Sequence, residues 1–582
     1  MASTFELPDL DFVETVSYDK VTCIRGKFDV PMQYAHKKIN EICRDQPLEA
    51  GDDPFAAALP DFAEHPVRLQ ALADGIHWSK IRPVAVYFDG VRYTKNENFE
   101  GFFFHDLRSN TRHLSYIVLR SDFCKCGCRG WCTLYPLLLR WSEDMNAGGD
   151  GVFLDPARQE ERLEIRLVVH GSRADWPALC QMAAVRTWGH NLSPCFACDL
   201  NKVQMRSTPL HECSLDIAPW NPYTRQDYDA DLLRHKISIP VPNIATRQAI
   251  YRSLMYSFKF FGRVVKFPIR VGGVDLLVGD RLEPTASMLD VGDFETKVPP
   301  FNALFWRGST DDRVSHESPL YLIKGFFLNN HGVDILHAWH LGPLLYYLPL
   351  VFNLFIKSLV MLSSNLPHIS LADTRRLALL RIKSKLWTFY KLKRLDPDWK
   401  RKGSEVWNLT EAMMGKKKGG KVGEFKCKAA EAKGLLEFCV YLLSEYSGAF
   451  AAKGGLHGTH AAYLLASGEA AVQFELILHS HGRAMPHAAQ NELFAAYIKH
   501  ASLYQRAGGV MMPKHHLMIH LLMRVARHGN PVYYHTYKDE SLNGVIARIA
   551  RSCHRTSFGM SVHMKFSLLT FLIGTAAVEL HP

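Results

Sequence analysis

Two acidic residues stand where the chain leaves an extended run. Asp89 closes Arg82-Pro-Val-Ala-Val-Tyr-Phe-Asp89, in which Val84, Val86 and Phe88 alternate with period two. Asp175 follows the apolar run Leu163 to His170 after a short loop. Carboxylates at neighbouring strand ends can share a divalent cation. Mg²⁺ and Mn²⁺ favour such oxygen donors and keep positions open for phosphate and water. The plainer role is local: Asp89 starts a turn with Gly90, and Asp175 caps a helix that opens on Trp176-Pro177.

Sulfur and imidazole form further groups. Cys195-Phe-Ala-Cys198 offers half of a tetrahedral zinc site. The other half is available in Pro513-Lys-His-His-Leu-Met-Ile-His520, where His516 and His520 share a helical face and His515 is a near alternative. A redox pair is the rival, but no thioredoxin-like pattern surrounds the cysteines. Cys124, Cys126, Cys128 and Cys132 put four thiols within nine residues, enough for a second zinc, with His113 able to complete the set. Asp334 and His337 fall near one face of a helix, where packing and capping are the ordinary roles. Leu542, Val545, Ile546 and Ile549 form an apolar stripe, and Glu540 gives that helix an acidic start that suits its dipole.

The elements that must carry these residues follow from periodicity. Arg82–Asp89, Gly101–His105 and His113–Leu119 read as an antiparallel meander. A helix from Trp131 to Met145, a strand at Leu163–His170 and the helix after Asp175 come next. Residues 1–80 form an irregular lead-in, and 200–330 is loop-rich. From 334 to 506 the pattern is helical, as in Thr374–Leu395, Ala432–Ser447 and Glu469–Ser480, and 511–580 is helical again. Leu341–Ile356 is uncharged but broken by Pro343 and Pro349, which makes it a buried helix and not a membrane span. The start of the chain has no basic and apolar leader. The 13 cysteines among 582 residues are too sparse for a disulfide scaffold, so a reducing compartment is expected. With 47% apolar and 22% charged residues, wholesale disorder is excluded.

In this order, these segments resemble the catalytic region of CACTA-type DNA transposases. Val86-Tyr-Phe-Asp89-Gly is similar to that family's first-acid strand, and Ser121 to Cys132 to a cysteine-rich segment of some members. Asp175-Trp-Pro-Ala, Gly189-His190 and Pro194 to Cys198 are similar to its second acid and CxxC. Asp334-Ile-Leu-His337 with Leu341-Gly342, and the stretch from Pro513 to Glu540, are similar to its later motifs. The pattern is also similar to the catalytic core of the V(D)J recombinase, where a CxxC and two histidines share one zinc.

The resemblance implies a DDE active site on an RNase H-like α/β core, a mixed sheet with flanking helices. Asp89, Asp175 and Glu540 would hold two Mg²⁺ or Mn²⁺ ions, with Asp539 as an alternative third acid. The core would comprise residues 81–200 and 511–582, interrupted by a large insertion domain at 201–510, mostly helical from 334. Zinc on Cys195, Cys198 and two of His515, His516 and His520 would pin that insertion beside the sheet. The implied activity is cleavage and transfer of DNA strands at transposon ends, in the nucleus, with no membrane. A homodimer or a second transposon-encoded DNA-binding protein would assist, because the lead-in shows no recognisable DNA-reading module. The alternative is a domesticated or degenerate copy that binds nucleic acid, stabilised by zinc, without cutting it.

Charge gives that expectation a location. The chain carries 69 basic and 58 acidic residues, a net +11. Between Arg375 and Lys428 there are 17 basic and 5 acidic residues, so this segment holds the whole excess. Arg381, Lys383, Lys385, Lys400, Arg401, Lys402, Lys416, Lys417 and Lys418 are the candidate phosphate contacts. Trp387, Phe389, Tyr390, Trp399 and Trp407 lie among them and are expected in the core.

Overall fold

The computed structural model describes residues 7–18, 25–125, 130–158, 160–185, 194–206, 210–230, 269–271, 274–276, 317–362, 370–397, 404–415 and 423–575. Its N-terminal half is built on a mixed, curled sheet of six strands: β1 (Asp11–Tyr18), β2 (Arg25–Met32), β3 (Ile81–Arg92), β4 (Asn98–Asp106), β5 (Thr111–Leu119) and β6 (Arg166–Arg173). Their order across the sheet is β1-β2-β5-β4-β3-β6. The pairs β1–β2, β2–β5, β5–β4 and β4–β3 are antiparallel, and β3–β6 is parallel.

Alternation along the strands sends apolar side chains to both faces. Val84, Val86, Phe88, Phe102, Phe104, Tyr116 and Val118 pack into the core that holds Leu134, Leu138 and Trp141. Tyr87, Phe99, Phe103, Leu114, Ile117 and Leu119 pack with Ile546, Ala547, Phe558 and Val562 from the C-terminal end of the chain. The sheet is therefore covered by helices from opposite ends of the sequence.

Helices α1 (Ala35–Cys43), α2 (Trp131–Asp150) and α3 (Trp176–Met182) belong to the first half. The second half is largely helical. A π-helical turn at Leu336–His340 leads into α4 (Pro343–Ser358), followed by α5 (Leu371–Lys393), α6 (Ala429–Glu445), α7 (Gly455–Ser480) and α8 (His487–Arg506). Three more helices follow: α9 (Pro513–Met523), α10 (Tyr537–Ala550) and α11 (Phe558–Thr575). The stretches Leu336–Ser358 and Gly455–Ser480 are long and apolar enough to cross a membrane, but 72% and 56% of their apolar windows are buried in the protein.

Several expectations need correction. The stretch 1–80 is not irregular: β1 and β2 extend the sheet, and Val13, Thr15, Val30 and Met32 point inward. The strand read at Leu163–His170 instead spans Arg166–Arg173, because the polar Ser172 and Arg173 still pair with β3. Helix α7 starts at Gly455, well before Glu469, since its glycine- and histidine-rich first turns disguise the helical period.

Candidate metal centre and acidic site

The parallel pairing of β3 with β6 explains the placement of the two aspartates. Tyr87 lies opposite Arg173, and the strands run the same way, so Asp89 and Asp175, two residues further on, lie at the same end of the β3–β6 pairing. Asp89 stays within β3, paired with Gly101 of β4, so it does not start a turn with Gly90: that strand runs on to Arg92. Asp175 also caps α3, its Oδ1 accepting from Ala178 N at 2.7 Å. The capping role read for Asp175 is therefore present.

Helix α10 brings the third acid. Ile546, Ala547 and Ala550 fix it to the sheet. One turn earlier on the same face, Asn543 Nδ2 donates to Asp89 Oδ2 (2.9 Å) and to Tyr87 Oη (2.8 Å). Glu540 lies three residues before Asn543, and its Oε1 is 3.3 Å from His337 Nε2. The neighbouring Asp539 turns away and is buried in ion pairs with Arg112 and Arg173 (3.8 Å). Glu540 feels the charges of Asp89 and Asp175, whereas the Asp539 carboxylate is taken up by arginines.

His337 is held from behind by Asp334. The Asp334 carboxylate accepts from His337 Nδ1 (2.6 Å), His337 N (3.1 Å), Thr536 N (2.9 Å) and Thr536 Oγ1 (2.7 Å). This motif ties the π-helical turn to the residue preceding α10.

The electrostatics agree with a gathering of carboxyls. Burial, then the Asp175 charge, pushes Asp89 up to about 6, while Tyr87 and His337 pull it back. Burial pushes Glu540 up to about 7; His337 opposes this, and Asp334, Asp89 and Asp175 add to it. Burial lowers His337, but the hydrogen bond and charge of Asp334, with Glu540 and Asp175, carry it up to about 9. Buried Glu100, clamped by Arg120, adds a fourth carboxyl that also repels Asp89. Repelling carboxyls around one imidazolium make an environment that welcomes added positive charge, which fits divalent cations.

A second centre is tighter. Cys195, Cys198, His516 and His520 are all buried, and their donor atoms lie within 4.8 Å of one another. Cys198 Sγ is 3.3 Å from His516 Nε2, which is 3.0 Å from His520 Nε2. A zinc tetrahedron with ordinary Zn–S and Zn–N bonds has edges of about 3.3–3.8 Å. Four such donors could hold a metal such as zinc. Among the described residues this is the single group of three or more donors gathered so closely; the three acids are spread more widely. Burial would raise the Cys195 thiol, but the Cys198 hydrogen bond and both imidazoles bring it well below its ordinary value. Trp220 closes the site, its ring centroid 4.5 Å from that of His516.

His515 is not one of the donors. Its Nδ1 accepts from Met512 N at 3.1 Å, and its ring stacks on Tyr504. His113 stacks on Phe104 and bonds Thr111. Cys124 and Cys132 are buried, whereas Cys126, Cys128, Gly189 and His190 lie outside the described residues.

The basic segment is less free than its charge suggests. Lys385 pairs with Glu445, and Lys383 bonds Asn408 Oδ1 at 3.1 Å; Arg381 is exposed, with no carboxylate partner among the described residues. Lys400, Arg401, Lys402, Lys416, Lys417, Lys418 and Trp399 lie outside the described residues. Phe389 and Tyr390 are core residues as expected, but Trp387 and Trp407 are exposed.

Sequence reasoning missed Asn543, Thr536, Glu100 and Trp220. Asn543 had a readable signal: a polar residue interrupting the apolar stripe of α10, one turn after Glu540.

The chain matches no family model, no curated protein and no solved structure.

Proposed function

We propose that this chain is a DDE-type polynucleotidyl transferase of transposase descent, built on an RNase H-like core. What supports the reading is that Asp89 and Asp175 lie at one end of the β3–β6 pairing and that both of their charges bear on Glu540, from far along the chain. The order β5-β4-β3-β6, with β3 and β6 parallel and the others antiparallel, supports an RNase H-like reading. The likeness of these segments to CACTA-type motifs supports it further.

Bound Mg²⁺ or Mn²⁺ ions supply an activated oxygen nucleophile and stabilise the leaving oxygen at phosphorus. The protein's part is to hold them. Asp89 and Asp175 offer oxygens from rigid strand ends, and Glu540 offers the third from α10. Asn543 fixes the rotamer of Asp89, and His337 keeps a proton between Asp334 and Glu540. Cys195, Cys198, His516 and His520 would hold a zinc ion, which would tie Cys195–Cys198 to α9.

The test is cleavage and strand transfer on DNA carrying the element's ends, with Mg²⁺ or Mn²⁺. The wild-type chain should give nicked and joined products, and Asp175→Ala none. Salt-sensitive DNA binding by both proteins, with no product from either, would assign the chain to non-enzymatic nucleic-acid binding.

A further inference from the structure

The exposed face of α5 carries a regular stripe. Arg376, Leu380, Lys383, Trp387, Lys391 and Arg394 follow one another at intervals of three and four, so they line one side of the helix. The opposite side, with Ala378, Ile382, Leu386 and Phe389, is buried. Trp387 is 52% exposed and Leu380 56% exposed on a face made mostly of cations.

A second segment runs beside the stripe. Trp387 Nε1 donates to Trp407 O (3.3 Å), Lys383 to Asn408 Oδ1 (3.1 Å), and Arg394 pairs with Glu405. These contacts fix Trp407 next to the stripe, yet its own indole is 61% exposed. The Arg394 guanidinium lies 4.8 Å from the Trp407 ring centroid, and Lys383 lies 6.0 Å from that of Trp387. Two indoles are thus held in place by backbone and cation contacts while their ring surface stays open to water. Among the described residues, Lys391 on the stripe has no carboxylate partner.

We propose that Trp387 and Trp407 form a stacking platform for unpaired bases, with the stripe's cations on the adjoining phosphates. A base has a flat π-face and a charged backbone, and this surface offers an indole and a cation at each of two points. Duplex DNA hides its base faces inside the stack and presents phosphates and base edges, on which an indole cannot stack. The surface therefore selects a strand with bases unstacked, as at a frayed or cut end. This deepens the nucleic-acid reading above and rests on it for the class of ligand.

The test uses the full chain and fluorescence anisotropy with three probes of equal phosphate content: oligo(dT), a matching strand of abasic sugars, and a duplex. Oligo(dT) should bind more tightly than the abasic strand. Trp387→Ala and Trp407→Ala should each weaken oligo(dT) binding by about five- to 150-fold while leaving the salt slope and duplex binding unchanged. Trp387→Tyr should restore most of the loss and controls for folding. Equal binding of oligo(dT) and the abasic strand, or unchanged affinity in both alanine variants, overturns the platform. So does displacement of oligo(dT) by polyglutamate as readily as by oligo(dT) itself, which would mark a surface for acidic peptide. None of these readouts depends on strand cleavage, so an inactive catalytic site would leave the platform standing.

Discussion

Asp334→Asn removes one charge and little volume from the pair that orients His337. The Asp334 side chain is 2% exposed and that of His337 23%, so solvent screens the pair weakly. His337 moves from an ordinary 6.5 to about 9 on folding. At about 1.36 kcal/mol per pH unit, that is worth about 3 kcal/mol. From the Asp334 side, burial would raise the carboxyl, but His337 and Thr536 bring it from 3.8 to about 2, which is worth about 2.5 kcal/mol. His337 gains more because Glu540 and Asp175 attract it as well. The two figures describe one interaction and are not added.

The sign follows from linkage. A raised histidine stabilises the fold fully below pH 6.5, and that contribution is lost as pH rises through about 9. Asp334, held low, contributes above 3.8 and loses its share as pH falls through about 2. Glu540 and Asp89, raised to about 7 and about 6, also lose stability with rising pH, but their windows close near neutrality. Between pH 7.5 and 9.5, without added Mg²⁺ or Mn²⁺, the wild-type chain should lose about 2 kcal/mol through His337. Urea unfolding at each pH measures it. Asp334→Asn should be less stable at pH 7 and nearly flat across that window. A variant with the wild-type slope would refute the coupling of the two residues.

Other outcomes follow from the same structure. Purified chain should carry about one zinc by mass spectrometry, lost in Cys198→Ser and His516→Ala but kept in His515→Ala; loss of metal in the last would reassign the donors. Asn543→Ala takes the amide donor from Asp89 and Tyr87 and should cost about 2 kcal/mol in urea unfolding; a change below about 0.5 kcal/mol would mean the contact is not made. A Cβ at Gly342 would lie 2.1 Å from the Ala338 carbonyl oxygen, so Gly342→Ala must shift the π-helical turn and should destabilise the chain by more than about 1 kcal/mol. Unaltered stability there would show that the turn rearranges freely.

The meander and its helices were legible because Val84, Val86 and Phe88 alternate cleanly and Trp131–Met145 repeats with helical period. The cysteines and histidines that could hold a metal were legible because each pair is local, i to i+3 and i to i+4. Strand β1 was hidden because Phe12 faces solvent and Thr15 faces the core, which inverts the usual pattern. The burial of Asp539 could not be read, since its ion pair with Arg112 joins residues 427 apart in sequence. The exposure of Trp387 and Trp407 could not be read either: helical period marks a face, but not whether another element covers it.

The four-donor centre joins Cys198 to a histidine 318 residues later. A ribosome adding about 5–20 residues per second needs on the order of half a minute to cross that interval. Throughout it the emerging chain holds two thiols and two aspartates, with neither set complete. A product terminated before His516 would thus carry two thiols with neither of the imidazoles that complete the four-donor group.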